Sequence, residues 1–251
     1  MGNTTDKIET YRLTLRKLNG WETFLMAESG LPGPRGNLEL ARAVFLEGNA
    51  SLFNDLVKYT YDVAPANSPE EFLAFCGVYG QGRFLSRENL AEWEVLKGFA
   101  ADPRWRTREA VAMALQAFGD RDMPGLLIKM KEWSTGNRYL QRAAAAALCE
   151  PKLLKIKHQV ALVIEILGDI TNSIIASADR REDSFKTLRQ ALGYCWSVAV
   201  AAFPEQGKIT MEYWFASKDS DVLWVMKENL KKNRLIKMDT DWVERWRLEL
   251  R

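Results

Sequence analysis

The sequence predicts an all-α fold, a right-handed α–α superhelix (α-solenoid) assembled from helix-pair repeats. Apolar residues recur at spacings of three and four along the whole chain, and no sustained alternating run with hairpin turns interrupts them. Helical segments also repeat, most clearly at 107–115, 140–148 and 222–230, and the first two of them are rich in alanine. Together, a helical period and a longer repeat indicate helices stacked in series.

The interval between repeats suits a pair of helices. Four aligned copies are separated by 33, 48 and 34 residues, and they begin at Thr107, Leu140, Leu188 and Val222. The long interval requires an insertion, which we place around 176–183. Alanine has the highest helix propensity and lets neighbouring helices approach closely. We therefore expect a partner helix before each of the first three copies, at 90–100, 123–133 and 159–170.

The predicted solenoid is continuous but has two parts. Residues 1–100 fit the repeat pattern loosely and are expected to form a divergent helical cap, because a terminal repeat tolerates atypical sequence. Residues 101–251 hold the regular repeats and a C-terminal cap. In that part we expect Asn233 to end a helix in a left-handed conformation. Trp242 and Trp246, four residues apart, are expected to be buried in the cap.

The charge is balanced overall but unevenly distributed. The 251 residues include 35 Lys and Arg against 33 Asp and Glu, a net charge of +2. Residues 1–100 carry 10 basic and 13 acidic side chains, and residues 101–251 carry 25 and 20. The balance excludes neither a protein nor a nucleic-acid partner, and the basic side chains lie mainly in the repeats.

Several kinds of site are disfavoured by composition. One histidine, His158, and three scattered cysteines provide neither zinc-ligand spacing nor a disulfide framework, which fits a cytoplasmic protein without a metal or other cofactor. The glycines at 77, 80 and 82 follow a helical pattern and no strand, so a dinucleotide-binding loop is not expected. Neither an N-terminal signal nor a membrane-spanning run is predicted.

A family resemblance supports the repeat interpretation. The segment from Thr107-Arg108 through Ala114-Leu115 to Gly119-Asp120 resembles the V-R-x-x-A-x-x-A-L-x-x-x-G-D pattern of the HEAT-repeat family. Residues 219–222 resemble its D-x-D-V helix entry, and the resemblance covers about 102–237. It implies an armadillo-type fold whose concave face, lined by the second helix of each repeat, binds a protein or duplex DNA.

A second resemblance implies a possible enzyme activity. Residues 139–144 are similar to the W-L-Q-R-A-A motif of the DNA alkylation repair glycosylases, and residues 188–194 are similar to their I-Q-K-A-I-G-W motif. That family carries a Trp and an Asp four residues apart on one catalytic helix, and this chain has Trp105 and Glu109 at that spacing. The resemblance implies that Glu109 acts on an alkylated purine.

The binding roles follow from the same resemblance. Trp105 and Tyr194 would hold the cationic base and Arg142 would grip a phosphate. Tyr139 stands where the family has a Trp, and the candidate binding residues also include Arg106 and Arg108 in the segment of Trp105.

Each candidate also has a structural explanation. Glu109 suits a surface ion pair early in a helix, Trp105 and Tyr194 suit packing between repeats, and Arg142 could tie adjacent turns together. The basic run at 227–237 suits either phosphate binding or the favourable placement of cations at a helix end. Its candidate binding residues are Lys227, Lys231, Lys232 and Arg234.

The sequence therefore predicts a non-catalytic binding scaffold for a protein or duplex DNA, with excision of alkylated purines through Glu109 as the alternative.

Overall fold

The computed structural model describes residues 4–250, and this part of the chain contains helices and no strand. The all-α prediction is therefore confirmed. Contacts divide the chain into two compact units, an N-terminal unit that ends at Phe118 and a C-terminal unit that begins at Gly119. The first aligned repeat copy, 107–115, thus belongs to the N-terminal unit. The prediction that no N-terminal signal is present concerns a segment that includes residues 1–3, which lie outside the described residues.

The N-terminal unit is built from seven helices in the part that the structure describes. They are α1 (Thr4–Leu15), α2 (Glu22–Ala27), α3 (Leu38–Glu47), α4 (Ala50–Leu56), α5 (Pro69–Gln81), α6 (Leu90–Ala100) and α7 (Trp105–Gly119), of which α7 has its last residue beyond the boundary. The start of α5 shows why helices begin where they do. Ser68 accepts a hydrogen bond from the Glu71 backbone N–H at 3.3 Å, and Pro69 occupies the first turn, where no N–H is needed.

Helix α5 forms the core of the N-terminal unit. Helices α2, α3, α4 and α6 all contact it, and its residues from Glu71 to Gln81 are buried. Gly77 and Gly80 allow this close packing, because an added Cβ would lie 2.8 Å from the Leu56 backbone carbon and 2.2 Å from the Phe53 ring, respectively. The glycine-rich stretch is therefore a helix-packing surface, which agrees with the sequence-based exclusion of a dinucleotide-binding loop.

The C-terminal unit contains the more regular helices. They are α8 (Met123–Ser134), α9 (Arg138–Leu148), α10 (Lys157–Ile175), α11 (Asp183–Ala202), α12 (Pro204–Phe215), α13 (Ser220–Leu230), α14 (Asn233–Met238) and α15 (Thr240–Glu249). The helices predicted before the copies at Leu140 and Leu188 are present as α8 and α10. Most of the predicted insertion is the connection between α10 and α11.

Helices of the C-terminal unit pack in consecutive pairs. Helix α8 contacts α9, α10 contacts α11 and α12 contacts α13, while α9 contacts α11 and α11 contacts α13 across neighbouring pairs. Buried alanines on α9 make its contact with α11 close. Asn229 joins α13 to α11. Its side chain accepts a hydrogen bond from the Ser197 N–H at 2.7 Å and donates one to the Leu192 carbonyl at 2.8 Å, and both of these residues lie on α11.

The end of the chain differs from the prediction in one respect. Asn233 is the first residue of the short helix α14 and its φ is not positive, so the expectation of a left-handed cap was wrong. The preceding helix ends at Leu230, with Lys231 as its cap residue. The tryptophan prediction is correct for Trp242, which is buried, whereas Trp246 is partly exposed and packs on Phe215 at 4.5 Å.

Across residues 4–250, every helix is too short or too polar to span a bilayer.

Candidate functional site

Two groups of predicted site residues fall in different units, and each is described within its own unit. The first group lies at the start of α7. Trp105 is 51% exposed, and the guanidinium of Arg106 lies over its ring with Cζ 4.5 Å from the centroid. Glu109 lies one helical turn later and is partly exposed. The predicted pairing of Trp105 and Glu109 on one helical face is therefore compatible with the observed helix.

The two arginines of this group point into the N-terminal unit. Arg106 is only 7% exposed, and it donates to Glu71 at 3.3 Å and to the Gly33 carbonyl at 2.7 Å. Arg108 is also buried, and it donates to the Asp102 carbonyl at 2.6 Å. Both were expected to bind a partner. Their guanidinium groups instead hold loops against α7, because a buried cation requires internal acceptors.

Trp105, Arg106 and Glu109 line one cavity of about 250 Å³, which we call the Trp105 cavity. Its remaining walls are mainly apolar side chains, with two further charged residues, Arg35 and Glu71, whose parts in the site were not predicted from the sequence. Glu71 lies in the first turn of α5, and a helix start gives no indication of a cavity. The Trp105 cavity is therefore a feature that only the folded N-terminal unit reveals.

The second group of predicted residues begins on α9 of the C-terminal unit. Tyr139 is partly exposed, and its hydroxyl donates to Asp183 at 3.1 Å. Arg142 is buried. Because Arg142 is buried, the structural explanation fits it better than a role as an exposed phosphate ligand does.

Tyr194 presents an aromatic surface to solvent. It is 44% exposed on α11, and the guanidinium of Arg234 stacks on its ring with Cζ 4.7 Å from the centroid. Arg234 also donates a hydrogen bond to the Tyr194 hydroxyl. A second stack of the same kind involves Arg189, five residues earlier on α11, whose Cζ is 4.3 Å from the Trp224 ring centroid. These stacks place cations beside aromatic faces on the surface of this unit.

The basic run predicted at 227–237 lies at the end of α13 and in α14, and we call it the basic segment. Lys231 forms an ion pair with Glu228. The other four cations of the segment have no ion-pair partner among the described residues, and they are Lys227, Lys232, Arg234 and Lys237. By contrast, Lys131, Arg138 and Arg180 of the same unit each bind a carboxylate within 2.8 Å. The basic segment therefore holds four cations without an ion-pair partner among the described residues within eleven consecutive residues.

A shallow cleft beside the basic segment adds one residue that the sequence did not single out. Lys227 and Lys231 line it together with Arg247, whose guanidinium donates to the Leu230 carbonyl at 2.7 Å. No sequence motif marked Arg247, because it is separated from the basic segment by the turn between α14 and α15. The cleft therefore extends the basic surface across α15.

The described residues contain no group of three or more His, Cys, Asp or Glu side chains placed to hold a metal ion. Comparison of the sequence with family models, with curated proteins and with solved structures found no significant match.

Proposed function

We propose that this chain is a cytoplasmic, non-catalytic scaffold of HEAT-like repeats that binds duplex DNA through the basic segment of its C-terminal unit. The observation that carries the proposal is the clustering of four cations without ion-pair partners beside the exposed Tyr194–Arg234 stack. Charge of one sign on a protein surface favours a partner of the opposite sign, and DNA phosphates provide the densest regular array of negative charge.

The position of these cations within the helices strengthens the argument. A cation in the last turn of a helix is stabilised by the helix dipole, which accounts for Lys227 near the end of α13. Lys232 lies two residues after the end of α13 and Lys237 lies in the last turn of α14, where the helix dipoles also favour positive charge. Arg234, however, lies at the start of α14, where the dipole disfavours positive charge. Helix electrostatics therefore do not explain Arg234, and an anionic partner would.

The Tyr194–Arg234 stack supports nucleic acid over an acidic protein. Stacking holds the Arg234 guanidinium in one orientation, which lowers the entropy lost when it binds a phosphate. The exposed Tyr194 ring also offers an apolar surface to a sugar or a base. A flexible acidic protein segment would need neither feature.

The helix-pair packing supports the repeat architecture in the proposal. Helices α8 to α13 pack in consecutive pairs, and the pairs contact their neighbours, as helix-pair repeats require. The buried, unpaired thiols of Cys76, Cys149 and Cys195 agree with a reducing cytoplasm.

The test is a titration of a fluorescently labelled duplex with the full chain at increasing salt concentration. We expect binding at low ionic strength and a linear decrease of log affinity with log salt concentration, because phosphate binding releases counterions. Polyglutamate, which has a similar charge but no phosphate geometry, is the competitor and should displace the duplex poorly. Absence of binding at low salt, or equal competition by polyglutamate, would favour a protein partner.

A further inference from the structure

The Trp105 cavity opens to solvent and is large enough to hold a small molecule. A cavity of about 150 Å³ is sufficient to hold benzene, and the Trp105 cavity has a volume of about 250 Å³. It can therefore accommodate a molecule with on the order of ten non-hydrogen atoms.

The walls of the cavity suit an aromatic ligand. Phe72 and Phe75, on buried faces of α5, lie with their ring planes 3° from parallel and their centroids 6.2 Å apart. Met113 of α7 and Leu31 add further apolar surface, while the half-exposed Trp105 lies where the cavity meets solvent. Aromatic rings bind well against such walls, because offset and edge contacts are available on several sides.

Glu71 and Arg106, which both line the cavity, each have one polar atom without a hydrogen-bond partner among residues 4–250. Glu71 is 0% exposed, and its Oε2 accepts from the Asn67 N–H at 2.6 Å and from Arg106 at 3.3 Å, whereas its Oε1 has no hydrogen-bond partner. The Nε–H of Arg106, a residue that also lines the cavity, has no acceptor. A buried acceptor and a buried donor left without partners are costly. A ligand group that both donates and accepts would satisfy both.

The charges at the cavity favour a neutral ligand. Glu71 and Arg106 carry opposite charges and form an ion pair. The other charged residues that line the cavity, Glu109 and Arg35, also have opposite signs. A ligand with a net charge would bring an uncompensated charge against apolar walls, which is unfavourable.

We infer that the Trp105 cavity binds a small neutral aromatic molecule carrying one amide or hydroxyl group, which donates to Glu71 and accepts from Arg106. This site lies in the N-terminal unit and is independent of the proposed DNA binding by the basic segment.

Five matched single-ring probes test this inference by calorimetric titration of the full chain. Benzamide and benzyl alcohol carry the required group, toluene lacks it, and benzylammonium and benzoate are charged. We expect benzamide or benzyl alcohol to bind at least about tenfold more tightly than the other three, since a hydrogen bond to a charged group is worth about that factor or more. Tightest binding of toluene or of a charged probe would overturn the inference.

A matched pair of variants tests the location. Leu38 lines the cavity at the start of α3, and Leu52, equally half-buried, lies on α4 away from it. Leu38→Trp should fill the cavity and abolish benzamide binding, whereas Leu52→Trp should leave it unchanged. Unchanged binding to Leu38→Trp would place the probe elsewhere and contradict the inference.

Glu71→Gln tests the polar contact. Glutamine retains one carbonyl oxygen, which is needed by the Asn67 N–H, and so has no second acceptor for a ligand. Benzamide affinity should fall about tenfold while toluene affinity stays constant. Equal losses for both probes would contradict the assigned role of Glu71. If Glu71→Gln does not fold, the probe series and the Leu38 and Leu52 variants decide the question.

Discussion

The guanidinium of Arg234 stacks on the ring of Tyr194 with its Cζ 4.7 Å from the ring centroid. The contact joins α11 to α14, two helices that also pack against each other. It places an exposed aromatic ring and the basic segment in one surface of the C-terminal unit. In the proposed function, this arrangement of cation and ring contacts the duplex.

Substitution of Tyr194 should separate the contribution of the ring from that of its hydroxyl. Tyr194→Ala removes the stack and should weaken duplex binding by about two- to tenfold, because Arg234 would then have to be ordered on binding, at a cost of about 0.5–1.5 kcal/mol. Tyr194→Phe keeps the ring and should stay within about twofold of wild type. Fluorescence anisotropy at fixed salt measures both. Equal affinities of Tyr194→Ala and wild type would remove the stack from the interface.

Arg104 is expected to be essential for the stability of the N-terminal unit. It is wholly buried, and it binds Asp102 at 2.7 Å and the carbonyls of Tyr59 and Ala64 at 2.9 Å each. Arg104→Ala leaves a buried carboxylate and two carbonyls without their donor, so the free energy of unfolding should fall by about 3–5 kcal/mol. Urea denaturation followed by circular dichroism measures the change.

Arg35→Ala is the control for this experiment, because Arg35 is exposed and its nearest carboxylate oxygen is 4.0 Å away. Its effect should be less than about 1 kcal/mol. A similarly small effect of Arg104→Ala would show that the buried network is not stabilising.

Acid should weaken the contact between α1 and α3. Hydrogen bonds from Arg16 and Arg12 to Glu47, each 2.7 Å long, lower the pKa of Glu47 from 4.5 to about 2. A carboxyl whose pKa is lower in the folded state contributes stability above its unfolded pKa and loses it as pH falls. We therefore expect the urea midpoint of wild type to decrease between pH 4.5 and about 2.

Glu47→Gln should be less stable than wild type at neutral pH, and its urea midpoint should decrease less than that of wild type as the pH falls through that interval. The matched control is Glu39→Gln, because the Glu39 carboxylate lies 4.0 Å from Arg35. This variant should follow the wild-type pH dependence. Parallel pH curves for wild type and Glu47→Gln would contradict the role of this ion pair.

The helical architecture could be predicted from local sequence, whereas the cavity could not. The alanine-rich copy at Leu140 became α9, because propensity and apolar spacing agree there. Asn233 was misassigned, since a left-handed cap and a helix start favour the same residue and neighbouring packing decides between them. The ion pair between Glu71 and Arg106 joins residues 35 positions apart, so no local pattern could reveal it. Burial of Arg106 could not be predicted either, because its partners Gly33 and Glu71 are also distant in the sequence.

Glu109 should be dispensable for DNA binding, and we expect no excision of alkylated purines. Incubation of wild type and Glu109→Gln with a duplex containing an alkylated purine, followed by analysis of released bases, tests this expectation. Neither protein should release the base above background, and both should bind the duplex equally. Release by wild type but not by Glu109→Gln would replace the scaffold proposal with an enzyme that acts through this carboxylate.

The most direct test of the proposed function compares two variants that each lose four positive charges from the C-terminal unit, at different positions. One replaces the unpaired cations of the basic segment by glutamine, at Lys227, Lys232, Arg234 and Lys237. The other replaces four exposed cations elsewhere in that unit, at Lys155, Arg181, Lys186 and Lys218. Each set contains three lysines and one arginine, so net charge changes equally.

The measurement is the slope of log duplex affinity against log salt concentration. Each lost phosphate contact reduces the magnitude of this slope by about one unit. We therefore predict that the slope of the basic-segment variant is smaller in magnitude than that of wild type by about three to four units. The control variant should keep nearly all of it. Equal slopes for the two variants would show that the basic segment is not the DNA-binding surface.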